Sequence, residues 1–534
     1  MVLPFYLSVL FPCQLSAQDD FRIVHGDCTP TANALQNDAP PTTTTRKRLP
    51  AIRTEWDAEK TYKQMVILLE FSDQTFDATN MPDPKSYYQR LFNEKGYNEG
   101  NGLGCVADYF RSQSGGLLNL EFDVFGPVTV SQKAQPYGSP TADTRNYGTD
   151  SFIEATKSIL ASNPDWDYKQ YDWNGDGTIE QVIYVYAGVS GNTGSTSYGH
   201  IWPNTSSFGN IKAPDGTRIS NYTSSAEKWP TPTYRSCGIG TICHEFTHSL
   251  GLPDIYPTAK GMPYSVADEW DLMDGGNFTN YGWCPPNYTS LEKWLLGWLT
   301  PIELTDPVTI TDMKSIEDGG NTYIIKHTAT EYLLLENRQW QGWDAGLPGE
   351  GLVIWHVNYN KTNWRNNSVN NTLGQYGFSL VPADNMDYDQ WKEHIGTGGN
   401  YQNSMRMNNR HLSTAPYPWI QDEQVKNDSL TDTSTPASIM ITANGTGAKM
   451  LGKSITNIRI TDNGMIAFDF MGGIPSGIWS VTDEPWATDN TPRATGIGVY
   501  DLQGRPVTPL STSSTSRHLY IIKGADGIVR KIFK

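Results

Sequence analysis

The sequence predicts an α/β (α+β) domain over residues 56–300, a β-rich, sandwich-like module over 301–475 and a small β domain over 476–534. Strands interleave with helices in the first part: Gln64–Phe71 is a nearly continuous apolar run of strand length, and helical stretches follow within fifty residues. Beyond Thr300 the pattern changes to short strands split by Gly, Asn and Asp. A chain of 534 residues also exceeds what one hydrophobic core organises, so two or three domains are expected.

Taken in order, Val2–Ala17 is an apolar run closing on Leu15-Ser16-Ala17, which suits a signal peptide over 1–17. Residues 18–55 hold Pro40-Pro41-Thr42-Thr43-Thr44-Thr45 and the basic Arg46-Lys47-Arg48. Such a polar stretch cannot bury a core, so it reads as a pro-segment or linker with an exposed processing site. After the first strand, helices are expected at Tyr87–Phe92 and Val106–Ser112, and strands at Leu118–Phe125 and Gln181–Ala187. Thr289 or Ser290 can cap a helix over Leu291–Trp298, with Glu292 strengthening its first turn. Later strands are expected at Thr322–His327, Glu331–Glu336, Gly351–Val357 and Ile455–Ile460. No other segment approaches 18 apolar residues, so no transmembrane span is expected.

The densest chemistry lies in His244-Glu245-Phe246-Thr247-His248-Ser249-Leu250-Gly251-Leu252-Pro253-Asp254. Histidines four apart share one helix face and can reach a single zinc ion, while the glutamate between them can take a proton from a water on that metal. Gly251 can end the helix in the left-handed conformation and bring Asp254 round as a third ligand; Asp268 and Glu269 lie close enough in sequence to compete for that place. A bare HExxH arises by chance in on the order of one such chain in a hundred, but the glycine and aspartate offsets cut that further. Asp271-Leu272-Met273-Asp274-Gly275-Gly276 follows at the distance of a metzincin Met-turn, with Met273 under the metal. The first domain is therefore expected to be a zincin-like catalytic domain. Tyr281 and Tyr288 are candidates to stabilise an oxyanion.

Asp172, Asn174, Asp176, Thr178 and Glu180 place oxygens at alternate positions of a glycine-containing loop, the first part of a calcium-loop pattern, so a structural calcium ion is expected. Ile183 stands where a calcium loop's last glutamate belongs, and a plain Asn/Asp/Gly turn is the bland reading. Cys28 and Asp27, in the pro-segment, could occupy the open metal position of a zymogen. Five cysteines would remain after signal-peptide removal, so one or two disulfides near the active-site region are expected, with pairing not legible. His200, His327, His356, His394 and His411 read as packed or exposed residues rather than ligands.

The net charge of −17 excludes nucleic acid as a natural partner, since phosphate binding needs a basic face. It fits an extracellular enzyme kept soluble by self-repulsion; a monomer acting on protein or peptide substrates, secreted or held at a cell surface, is expected with it. The competing reading is a surface adhesion or glycan-binding protein with an inert zincin scaffold; an intact ligand set argues against it.

Several of these segments resemble the immune inhibitor A-type metalloproteases. They are Val66–Phe71 with Ser72-Asp73, Asp108-Tyr109-Phe110 with Ser114-Gly115, the loop at Asp172, HEFTHSLGLPD, the Met273 turn, Leu291–Trp298, Leu333–Arg338 and Leu347–His356. The resemblance implies a secreted zinc endopeptidase, often calcium-stabilised, with His244, His248 and Asp254 as ligands and Glu245 as base. Val499–Arg505 and Leu519–Lys523 resemble sorting domains of the type-nine secretion system of Bacteroidetes, which implies a secretion machinery as partner.

Overall fold

The computed structural model describes residues 49–135, 146–192, 199–259, 266–386, 412–461 and 463–473, and the backbone of three further strands within 498–533. The leader, Asp27, Cys28, His394 and His411 lie outside the described residues.

Five strands form the first sheet in the order β2-β1-β3-β5-β4. They are β1 (Thr61–Glu70), β2 (Asn119–Thr129), β3 (Val182–Val189), β4 (Thr205–Lys212) and β5 (Arg218–Lys228). β1 runs parallel to β2 and β3, β3 parallel to β5, and β4 antiparallel along β5 at the edge. A parallel sheet is covered on both faces, which is why β1 and β3 read as continuous apolar runs. Met65, Ile67 and Leu69 point to one core, shared with Val182, Tyr184 and Tyr186 and with helix α3 (Thr149–Ser162) through Phe152, Ala155 and Ile159. Val66 and Leu68 point to the other, shared with Ile183, Val185 and helices α1 (Pro84–Asn93), α2 (Val106–Gln113) and α4 (Gly240–Ser249). The expected first four elements thus form within a few residues of their expected ends. Helix α5 (Ser290–Leu295) starts at Thr289, which caps it in a capping box closed by Glu292.

Helix α4 is buried from Ile242 through His248, so it sits inside the protein rather than on it. The sheet covers one side. The segment 276–282 covers another so closely that a Cβ on Gly240 would lie 2.0 Å from the Asn277 carbonyl oxygen. Phe246 packs against Phe110 at 4.7 Å between ring centres.

A second five-stranded sheet has the order β11-β10-β9-β8-β6, built from β6 (Ile302–Glu303), β8 (Tyr323–Lys326), β9 (Glu331–Arg338), β10 (Gly351–Asn358) and β11 (Phe378–Leu380), with the short helix α6 (Lys361–Arg365) before the last. Its faces alternate cleanly. Ile325, Leu333, Leu335, Leu352 and Ile354 share a core with a three-stranded sheet of β7 (Val308–Met313), β14 (Ile455–Ile460) and β15 (Ile466–Phe470). Ile324, Leu334, Val353, Trp355 and Val357 join the same hydrophobic cluster as helix α4. A small hairpin of β12 (Trp419–Gln421) and β13 (Gln424–Asn427) lies between, and β16 (Gly498–Tyr500), β17 (Leu519–Lys523) and β18 (Val529–Phe533) pair as a separate antiparallel sheet.

One charged group crosses from the second sheet to the first domain. Arg338 on β9 is fully buried; its guanidinium donates to Asp344 at 2.6 Å and Glu336 at 2.9 Å, and to the Asn287 carbonyl at 3.2 Å. Removing it would leave two buried carboxylates without the cation that bridges them, the costly half of a buried ion pair. Arg338→Ala is expected to lower stability by about 3–5 kcal/mol in urea unfolding; a loss below about 1 kcal/mol would show that the network contributes little.

The expected disulfides do not form among the described residues: Cys105, Cys237, Cys243 and Cys284 are free thiols. Three of them have local roles that need no partner thiol. The Cys105 sulfur accepts the Asp108 amide as a helix cap, Cys243 is packed inside α4, and Cys284 donates to the Trp343 carbonyl at 3.5 Å. Burial pushes the Cys105 and Cys284 thiols up to about 12, far from the reactive thiolate.

Candidate metal centre

Helix α4 ends as its sequence dictates. Gly251 takes φ +102°, its amide bonds the His248 carbonyl at 3.0 Å, and the Leu252 amide bonds the Thr247 carbonyl at 3.4 Å. This is a Schellman closure, and a glycine is needed at its left-handed position. A Cβ at Gly251 would also fall 2.6 Å from the Ile52 Cα, because the strap at residues 50–57 crosses the helix end, with the Arg53 amide on the Leu250 carbonyl. The turn does two things at once. It delivers the Leu252 carbonyl to His248 Nδ1 at 2.8 Å, and it swings Asp254 back toward both histidines.

His244 is oriented from the other side. Its Nδ1 meets the Leu272 carbonyl at 2.9 Å, in the tight loop 271–274. That loop is tied by the Met273 amide to Asp271 Oδ1 at 2.6 Å and by the Ile255 amide to the Met273 carbonyl at 2.8 Å. Met273 itself is fully buried in the cluster around α4. With both Nδ1 atoms donating to carbonyls, each ring is left with Nε2 as a bare acceptor.

Both Nε2 atoms lie 3.2 Å from the same oxygen, Asp254 Oδ1. One ligand atom from each of His244, His248 and Asp254 lies within 4.8 Å of the others, and all three residues are buried. Among the described residues this is the one group of three or more His, Cys, Asp or Glu side chains with such convergence. Burial disfavours a charged His248, yet the Asp254 carboxylate opposite it prevails and lifts the imidazole to about 9. Burial raises Asp254 in turn, and the two imidazoles override that and hold it below the usual carboxylate range. Nε2 of each ring and Asp254 Oδ1 face one another inside the protein, so a cation belongs between them, whether a proton on His248 or a metal ion that replaces it. The set of two imidazoles and one carboxylate, with its outer hydrogen bonds satisfied, fits a divalent metal that keeps an open position.

Glu245 lies beside this cluster, and burial raises its carboxyl above the ordinary range. Its Oε2 accepts from Thr205 Oγ1 at 2.9 Å, and the same hydroxyl reaches the Glu245 carbonyl oxygen at 2.6 Å. Thr205 opens the edge strand β4, and nothing in the local sequence marks it.

The remaining candidates fall elsewhere. The Tyr288 hydroxyl bonds Thr247 inside the core, where Tyr288 is wholly buried. Tyr281 is 2% exposed, with the Arg235 guanidinium 3.9 Å above its ring. The tyrosine ring that stacks on His244, at 6.5 Å, is Tyr256, two residues after Asp254 and half-buried. In the Asp172 loop the Asp172 carboxylate accepts the amides of Gly175, Asp176 and Gly177, while Asn174 accepts the Asp176 amide and Asp176 the Thr178 amide. Glu180 is held by Arg53 and by the Trp173 amide, and Thr178 Oγ1 accepts from Arg218. Neither Asp268 nor Glu269 belongs to the ligand group. His356 pairs with Glu331 at 2.8 Å and His327 with the Thr442 carbonyl at 3.0 Å.

Because Gly251 shapes the ligand turn, Gly251→Ala combines a left-handed alanine with a clash against backbone. The expected outcome is a loss of about 2 kcal/mol or more of stability together with weaker metal retention on dialysis. Wild-type metal content in a stably folded G251A protein would show that the turn is not what delivers Asp254.

Residues 51–295 match the model of the immune inhibitor A peptidase M6 catalytic domain. The chain is 26% identical over 278 residues to the pre-pro-metalloprotease PrtV of Vibrio cholerae, a match covering 45% of this chain and 30% of that protein. It is also 26% identical over 289 residues to immune inhibitor A of Bacillus thuringiensis subsp. alesti, covering 45% of this chain and 41% of that relative. The matches thus span less than half the length of either relative. With the domain match laid over the sheet, helix α4 and the converging His244, His248 and Asp254, the chain carries over residues 51–295 a domain similar to the catalytic domain of the immune inhibitor A metallopeptidases.

Proposed function

We propose that the protein is a secreted zinc endopeptidase that hydrolyses peptide bonds of extracellular proteins. The observation that carries this is the convergence of His244 Nε2, His248 Nε2 and Asp254 Oδ1 with the Glu245 carboxylate alongside. Zinc held by those three atoms would supply a Lewis acid for the scissile carbonyl and acidify a water. Glu245, made more basic by burial and steadied by Thr205, accepts the proton of the attacking water and returns it to the departing amine. Tyr256, whose ring stacks on His244, joins Tyr281 and Tyr288 as a candidate to donate to the developing oxyanion. Met273 serves as the base of a metzincin-like turn by presenting the Leu272 carbonyl to His244.

An extended peptide suits the position of β4. It is the edge of its sheet among the described residues, and the Thr205 end of it touches the base. An edge strand offers backbone donors and acceptors to a substrate strand. Export is supported by the apolar leader Val2–Ala17 and by the sorting-like C-terminal unit, and no helix among the described residues is long and apolar enough to cross a membrane.

Purified protein and Glu245→Gln, each assayed on denatured casein with bound metal quantified, test the mechanism. Wild-type zinc content with activity reduced about 10²–10⁴-fold is expected, the size of a lost general base. Equal proteolysis by both proteins would refute the role of Glu245, and zinc binding without proteolysis in the wild type would favour the adhesion reading.

Calcium at the Asp172 loop is part of the same proposal, with Asp172, Asn174 and Asp176, whose oxygens accept backbone amides of the loop, as its candidate ligands, and with Glu180 taken up by Arg53. Calcium-selective chelation that leaves zinc in place is expected to lower the melting temperature by several degrees. An unchanged transition would mean that the hydrogen-bonded Asx turn suffices by itself.

A further inference from the structure

The third ligand is gripped from outside the family-matched domain. Asn367, in the loop between α6 and β11, donates from Nδ2 to Asp254 Oδ2 at 2.6 Å and accepts the Asp254 amide on Oδ1 at 2.6 Å. One side chain therefore holds both the carboxylate and the backbone of the same residue. Donor and acceptor are each matched, so the amide has a single orientation that works. The carboxylate oxygen it takes up is the one not directed at the histidines, which leaves Oδ1 for the cluster.

The grip is reinforced along the loop. Thr258 donates its hydroxyl to the Asn367 carbonyl at 2.7 Å, Asn371 Oδ1 accepts the amides of Thr258 at 2.7 Å and Ala259 at 2.9 Å, and Asn370 donates to the Ile255 carbonyl at 2.8 Å. Three asparagines thus fasten residues 254–259 to the second sheet. Asn367 has φ +54°, a left-handed conformation that asparagine tolerates better than most residues.

We infer that Asn367 is a positioning residue of the metal centre, and that the second module is required to assemble it. This rests on the proposed zinc reading of His244, His248 and Asp254. A carboxylate ligand is normally fixed by an outer hydrogen bond, and loss of such a partner typically weakens metal binding 10–100-fold. The family-matched segment, residues 51–295, contains all three ligands but not Asn367, the side chain that holds both the carboxylate and the amide of the third.

The test uses the full chain and reads zinc affinity by competition with a chromophoric chelator, with the visible spectrum of the cobalt-substituted protein as the signature of the ligand set. Asn367→Gly removes the side chain while keeping the left-handed backbone free of strain. Asn367→Asp keeps the shape but sets a second carboxylate against Asp254. Asn371→Ala loosens the same loop without touching Asp254. The expected result is a 10–100-fold loss of zinc affinity and an altered cobalt spectrum in N367G, at least as large a loss in N367D, and near wild-type values in N371A. Wild-type affinity and spectrum in N367G or N367D overturns the assignment, and so does an equal loss in N371A, which would mark a merely structural loop. Should N367G fail to fold, the comparison of N367D with N371A decides. A wild-type protein that binds no zinc would instead overturn the metal centre itself, whatever the variants do.

Discussion

A carboxylate oxygen buried 3.2 Å from two imidazole nitrogens is the constraint around which the first domain is arranged. Burying Asp254 costs solvation that counter-charge and hydrogen bonds must restore, here from the imidazoles opposite Oδ1 and from Asn367 on Oδ2. The rings cannot neutralise it with their Nδ1 protons, because those are committed to the Leu252 and Leu272 carbonyls. Every nearby irregularity serves the same end. Gly251 turns the chain, the 271–274 loop presents a carbonyl, and the strap at residues 50–57 closes over the helix end.

Such a site needs a rigid frame, and the frame comes from burying α4 on all sides. The parallel sheet lies on one side of it, the 276–282 segment on another, and the inner face of the second sheet shares its hydrophobic cluster. That sheet is buried on both faces, so β9 is inaccessible along its whole length. A helix held this way loses little order at its ends, which is what two candidate ligands four residues apart require. The sheet also brings Arg338 to the Asn287 carbonyl and Asn367 to Asp254, so polar as well as apolar contacts join the two parts.

Elements buried on both faces were the legible ones. Parallel strands are continuous apolar runs, so β1 and β3 stood out, and α5 was marked by Thr289 and Glu292. Strands β4 and β5 passed unnoticed because their residues are polar: Thr223, Ser224, Ser225 and Glu227 of β5 are buried yet would read as a loop. The small difference between a thiol that pairs and one that caps a helix is also absent from sequence, so five cysteines suggested one or two disulfides, whereas Cys105 serves as a cap.

By itself the sequence determined the nature of the centre. Histidine spacing is set by the helical repeat, and Gly251 by the steric rule for left-handed backbone, and both are local and therefore written in order along the chain. Tertiary structure decided which groups serve those residues. Thr205 reaches Glu245 from 40 residues away, Asn367 reaches Asp254 from 113, and Tyr256 rather than Tyr281 or Tyr288 stacks on His244. Hydrogen-bond partners at such separations are chosen by how sheets and loops pack, and no local pattern of residues records that choice.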